Sequence, residues 1–133
     1  GQMLIQRRTD TKPDWPGLWD FSVGGSVHAG ETSREGALRE VREELGLDIE
    51  LARPSFTFNF QYGFDDFYLL RTDVPLPLAA VPNDEVAEVR WADLDDVVGL
   101  LRAGQFINYR ESAVRFVFDF LDQRNIFDSR DLR

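Results

Sequence analysis

Hydrophobic and polar positions change period several times along the chain, and each change marks an element. Met3 to Arg7 reads as a β-strand, and Thr9 to Leu18, rich in Pro, Asp and Gly, reads as the loop that follows it. Trp19 to Val23 is a second, short strand running into Gly24 and Gly25. From Thr32 to Leu45 the period becomes helical, with Leu38, Val41 and Leu45 forming one buried stripe. Thr32 suits an N-cap, Glu35 completes a capping box with it, and Gly46 stands where a left-handed terminator belongs.

Strands are expected again at Ser55 to Gln61, where Phe56, Phe58 and Phe60 alternate, at Asp66 to Thr72, and at Val86 to Trp91. Thr72 to Pro82 carries three prolines and reads as a loop. A short helix is expected from Leu94 to Arg102, closed by Gly104. The last helix, Arg110 to Arg124, presents Val114, Phe116, Val117, Phe118, Phe120 and Leu121, an apolar arc wider than a one-sided helix needs. That arc is expected to seal under the sheet, with a homodimer contact as the alternative. The N-terminus is abrupt, because Gly1-Gln2 reads as the end of a hairpin turn, so a preceding strand is expected to be trimmed or missing.

Composition narrows the class. The 133 residues suit one domain, 1–133, and 43% hydrophobic with 13% aromatic residues excludes a disordered chain. Fifteen Lys and Arg against 24 Asp and Glu leave a net charge of −9, which repels nucleic acid unless a basic strip overrides it, and none is visible. With no Cys, zinc thiolates and disulfides are excluded. No apolar run reaches the roughly 18 residues of a membrane span, so a soluble cytoplasmic protein without membrane partners is expected.

The chemistry concentrates on the first helix. Measured from Glu40 at about 100° per residue, Glu43 falls about 60° to one side and Glu44 about 40° to the other, beside the apolar stripe. Like charges at such spacing repel by a few tenths of a kcal/mol. An ordinary solvated face softened by Arg39–Glu43 and Glu35–Arg39 pairs is one reading. The other is a site for a hard divalent cation, favoured because the carboxylates abut the core stripe, a glycine-rich turn precedes the helix, and Glu31 stands at the join.

The segment also carries a known pattern: Gly25, five residues, Glu31, seven residues, then Arg39-Glu40-Val41-Arg42-Glu43-Glu44-Leu45-Gly46-Leu47. These nine defined positions over residues 25–47 match the Nudix box, and the chain resembles the Nudix hydrolase family. The resemblance implies an α+β fold, an α/β/α sandwich around a mixed, partly antiparallel sheet with a loop–helix catalytic motif. It implies a pyrophosphohydrolase that uses magnesium or manganese to hydrolyse a small-molecule diphosphate, a nucleoside di- or triphosphate or another diphosphate ester. A domain of this fold that binds a nucleotide or partner without turnover is the alternative. By the same resemblance Gly25 (through its carbonyl), Glu40, Glu43 and Glu44 are metal ligands, Glu40 and Glu44 act in catalysis, and Glu31 with Arg39 fixes the loop against the helix.

A further acidic residue beyond the box is expected to supply a base or an extra ligand. Glu85 is favoured over Glu88 and Asp84, with Asp65 and Asp66, placed in the turn after Tyr62-Gly63-Phe64, behind them. Outside the box, Trp15-Pro16-Gly17-Leu18-Trp19-Asp20 and Ser22-Val23-Gly24-Gly25 are similar to the branch containing isopentenyl-diphosphate isomerases and hydrolase relatives. There Arg8 and Lys12 match residues that hold a diphosphate. The isomerases have Cys where this chain has Gly24, and a metal-binding His where it has Ser26, so isomerase chemistry is not expected. The single His28, between Gly25 and Glu31, is read as an exposed loop residue.

Overall fold

The computed structural model describes residues 1–123 and the side chains to Phe120; the Leu121 side chain and the Arg124 end of the expected last helix lie outside what is described. Strand β1 (Met3–Arg8) pairs antiparallel with β2 (Trp19–Asp20) on one side and with β5 (Val86–Ala92) on the other. Beyond β2 the chain adds one parallel bridge, Trp19 to Phe106, where the Trp19 amide donates to Gln105 O and the Ile107 amide to Trp19 O, both at 2.9 Å. The sheet is mixed through this contact alone among the described residues; every named strand pair is antiparallel.

Alternation along β1 explains the layers. Ile5, fully buried, joins Trp19, Ala92, Val97, Phe106 and Val114, which brings α2 (Leu94–Arg102) and α3 (Glu111–Gln123) onto one face. Leu4 points the other way, onto Leu45 of α1 (Ser33–Leu45) and Leu78 of the proline-rich loop. Successive strand residues face opposite sides, so a sheet covered on both faces must be apolar at consecutive positions, as Leu4-Ile5 is.

The capping signals act as written. Thr32 accepts from the Glu35 amide at 3.1 Å, the Glu35 carboxylate accepts from the Thr32 amide at 2.9 Å, and Gly46 ends α1 at φ 68°. Two strands differ from the sequence expectation. β2 stops at Asp20 because the Asp20 carboxylate takes the Phe21 amide at 2.7 Å, withdrawing it from the ladder. The fourth strand is Gly63–Phe67 rather than Asp66 to Thr72: it folds back on β3 (Phe56–Phe60) through Gln61-Tyr62, with Phe60 opposite Gly63 and Phe56 opposite Phe67. Asp65 and Asp66 therefore lie in β4, not in a turn, and Asp66 accepts from the Thr57 hydroxyl at 2.6 Å.

The wide arc of α3 is used within the chain. Val114 and Val117 are buried, while Phe116 and Phe120 meet the ring of Phe56 at 5.0 and 5.2 Å between centroids. Edge-to-face packing of this kind joins the β3–β4 hairpin to the helix.

Candidate active site

The loop from Gly24 to Glu31 is held to α1 by one side chain. Arg39 donates from Nε to Glu31 Oε2 at 2.8 Å and from Nη2 to Glu31 Oε1 and to Ser26 O, each at 3.1 Å. Glu31 Oε1 also accepts the His28 amide at 2.8 Å, so the carboxylate closes the loop on itself. The Arg39 guanidinium holds the Glu31 carboxyl down at about 2, and Glu31 in turn raises Arg39. Nη1 of Arg39 reaches Glu40 at 3.0 Å and Glu43 at 3.1 Å.

Gly25 lets the loop backbone lie directly on Glu40: a Cβ there would run into the Glu40 side chain, with Cγ only 2.7 Å away, and would push that carboxylate aside.

Glu40, Glu44 and Glu85 come together, one carboxylate oxygen of each within 4.8 Å of the others. Glu44 is 4% exposed; its Oε1 accepts from Gln6 Nε2 at 2.7 Å, and its Oε2 is buried with no hydrogen-bond partner. Burial pushes the Glu44 carboxyl up to about 8; the Gln6 hydrogen bond opposes this, and Glu40 and Glu85 reinforce it. Glu85 enters through Asn83, whose Nδ2 donates to Glu44 O at 2.9 Å while its Oδ1 accepts the Glu85 and Val86 amides, each at 2.9 Å. The tertiary fold thus unites the end of α1 with the start of β5.

The other expected residues are distributed around this group. Lys12 Nζ lies 3.9 Å from Glu85 Oε1. Arg8 donates to Asp14 O from Nε at 3.1 Å and Nη2 at 2.8 Å, and its charge reaches the buried Asp20, whose carboxyl is raised by burial. Glu43, its side chain 50% exposed, pairs with Arg39 and is not among the three clustered carboxylates. Glu88 pairs with Arg7 at 2.9 Å, and Asp84 contributes its carbonyl to Thr9 Oγ1. His28 is exposed, 3.9 Å from Glu31.

Two residues with no role in the sequence reading touch the cluster, Gln6 and Asn83. For Gln6 the signal was present: it follows Leu4 at the two-residue period, which puts an amide on a buried face. For Asn83 no local pattern pointed to the site.

The chain matches the family model described as NUDIX domain over residues 1–114. A Listeria innocua protein described as an uncharacterized Nudix hydrolase, lin0387, is 44% identical over 111 residues, covering 82% of this chain and 66% of that protein. An isopentenyl-diphosphate Δ-isomerase from Escherichia coli is 34% identical over 106 residues, 74% of this chain and 58% of the enzyme. The chain therefore spans 66% and 58% of the length of these two curated relatives. Among solved structures, the crystal structure of DR0079 from Deinococcus radiodurans superposes with a TM-score of 0.71 at 31% identity, covering 86% of this chain and 74% of that one. Box, fold and these likenesses agree: the chain belongs to the NUDIX domain family.

Proposed function

We propose that this domain is a divalent-metal-dependent hydrolase that cleaves a diphosphate linkage, in a small nucleoside di- or triphosphate or another diphosphate ester, by attack of water on phosphorus. The observation that carries the reading is the meeting of Glu40, Glu44 and Glu85 around a buried Glu44 oxygen that has no protein partner. Such an oxygen is costly unless a cation or a proton satisfies it. An all-carboxylate donor set suits a hard ion, magnesium or manganese.

Glu40, Glu44 and Glu85 would hold the ion, with the Gly25 carbonyl and Glu43 as further ligands from the same loop and helix. When bound, the ion neutralises phosphate charge and acidifies coordinated water. The remaining work falls to the protein. Whichever of Glu40 and Glu85, both less buried than Glu44, is not committed to the ion would accept the proton of the attacking water. Lys12, on the loop after β1 beside Glu85, and Arg8, the last residue of β1, would meet phosphate oxygens as a point charge and a fork. Arg39 keeps the loop against the helix. A small cytoplasmic metabolite fits the net charge of −9 better than nucleic acid does.

The likeness to isomerases favours testing that chemistry too, although Gly24 and Ser26 lack the thiol and imidazole it calls for. The protein is incubated with a panel of nucleoside di- and triphosphates, sugar nucleotides and isopentenyl diphosphate, with and without magnesium or manganese. Released phosphate, nucleoside monophosphate and prenyl isomer are measured. Metal-dependent release from at least one compound is expected. Silence across the panel favours a binding domain without turnover, and isomer without phosphate release overturns the hydrolase.

A further inference from the structure

Two side-chain amides stand behind the carboxylates, each joining chain segments far apart in sequence. Gln6 is 2% exposed on the face of β1 that carries Leu4, and its Nε2 donates both to Glu44 Oε1 at 2.7 Å and to Ser22 O at 2.9 Å. Asn83 uses its whole amide: Nδ2 donates to Glu44 O at 2.9 Å and Ala80 O at 3.0 Å, and Oδ1 accepts the Glu85 and Val86 amides.

Resting on the metal-dependent reading above, we infer that Gln6 and Asn83 are positioning residues of the cation site. Gln6 commits one oxygen of Glu44 and leaves the other for the ion, and Asn83 sets the spacing between Glu44 and Glu85.

Packing alone does not call for either amide. An aliphatic side chain of similar volume at position 6 would fill the same buried space without the cost of desolvating a primary amide. The amide is instead placed where it holds a carboxylate by an edge. A carboxylate with Oε1 already taken has a single oxygen to give, so Glu44 offers the ion a defined atom rather than a rotating pair. The second Gln6 bond, to Ser22 O, ties the same strand to the chain leading into Gly25, so the aim of Glu44 and the approach of the loop are set from one point. Asn83 works along the other axis. Glu85 lies outside the box, and no regular element joins its backbone to α1; the Asn83 amide spans that gap. Partners that orient metal ligands in this way are typically worth about 10- to 100-fold in metal affinity or activity.

The test uses Gln6→Met, which keeps length and loses the donor, and Asn83→Asp, which keeps the acceptor for the Glu85 and Val86 amides and loses the donor to Glu44. Asn83→Ala serves as the second variant at that position. Manganese binding is followed by electron paramagnetic resonance at a temperature where circular dichroism shows each variant folded, alongside kcat, KM and the melting temperature in EDTA. Manganese affinity is expected to fall about tenfold or more, and kcat to fall with KM for the diphosphate nearly unchanged. Unchanged manganese affinity in folded variants, with only the melting temperature lowered, overturns the inference and leaves the two amides as scaffold. A wild-type protein that binds no manganese fails earlier, taking down the metal-dependent reading and this inference with it.

Discussion

Arg39 and Glu31, eight residues apart, form a two-point pair, Nε to Oε2 at 2.8 Å and Nη2 to Oε1 at 3.1 Å, with the His28 amide capping the same carboxylate. A lysine cannot reproduce this fork together with the bond to Ser26 O. Arg39→Lys is therefore expected to loosen the loop rather than unfold the domain: amide exchange at His28 and its neighbours accelerates, while exchange in β1 and β5 does not. Because the pair holds Glu31 down at about 2, the same loosening appears in the wild type only as pH falls below the ordinary carboxylate range of 4.5 toward that value. Hydrogen exchange followed by mass spectrometry against pH reads both effects.

Glu44 ties stability to pH with the opposite sign. In the cation-free protein its carboxyl is pushed up from 4.5 to about 8, so between those values the folded state keeps a proton that the unfolded chain has released. Stability then falls as pH rises through that interval, by on the order of 1 kcal/mol per pH unit at most, and levels off above it. A bound cation replaces the proton, so magnesium raises the melting temperature more at pH 8.5 than at pH 6. Glu44→Gln removes most of the slope, keeps the fold and lowers kcat by orders of magnitude. Thermal melts in EDTA and in magnesium across pH, compared between wild type and variant, check the sign; a variant that kept the wild-type kcat would refute the ligand assignment.

Lys12 lies beside Glu85, and Arg8 is tethered to Asp14 O on the same loop. Replacing either with Ala is expected to raise KM for phosphate-rich substrates several-fold with a smaller change in kcat. Steady-state kinetics that left KM unmoved would return both side chains to the solvated surface.

Ile5 and Tyr62 bracket the range of stability effects. Ile5 is fully buried between the sheet and α2, whereas Tyr62 is 84% exposed at the tip of the β3–β4 hairpin. Ile5→Ala is expected to cost about 2–5 kcal/mol by loss of burial and a residual cavity. Tyr62→Ser is expected to stay within about 0.5 kcal/mol. Urea denaturation measures both.

Much of this molecule is local and could be read from the chain. The capping box at Thr32 and Glu35, the stop at Gly46 and the loop–helix from Gly25 to Leu47 depend on neighbours within a few residues, where backbone hydrogen bonds and φ preferences act directly. The clustering of Glu40 and Glu44 follows from helical spacing alone. Strand ends were less legible, since β2 ends where its own Asp20 carboxylate accepts the Phe21 amide and β4 starts where the Gln61-Tyr62 turn lets it pair.

The tertiary structure decided what spacing cannot. Glu85 and Glu88 look alike in sequence, yet the first is drawn to Glu44 by Asn83 and the second is turned to Arg7. Glu43 sits in the box beside Glu44 but faces Arg39 and solvent, because adjacent residues on a helix point about 100° apart. Burial of Glu44 against Gln6, which raises its carboxyl and leaves one oxygen unpaired, needs a strand 38 residues away. Local order is written in short-range bonds; the strength of a buried charge depends on everything folded around it.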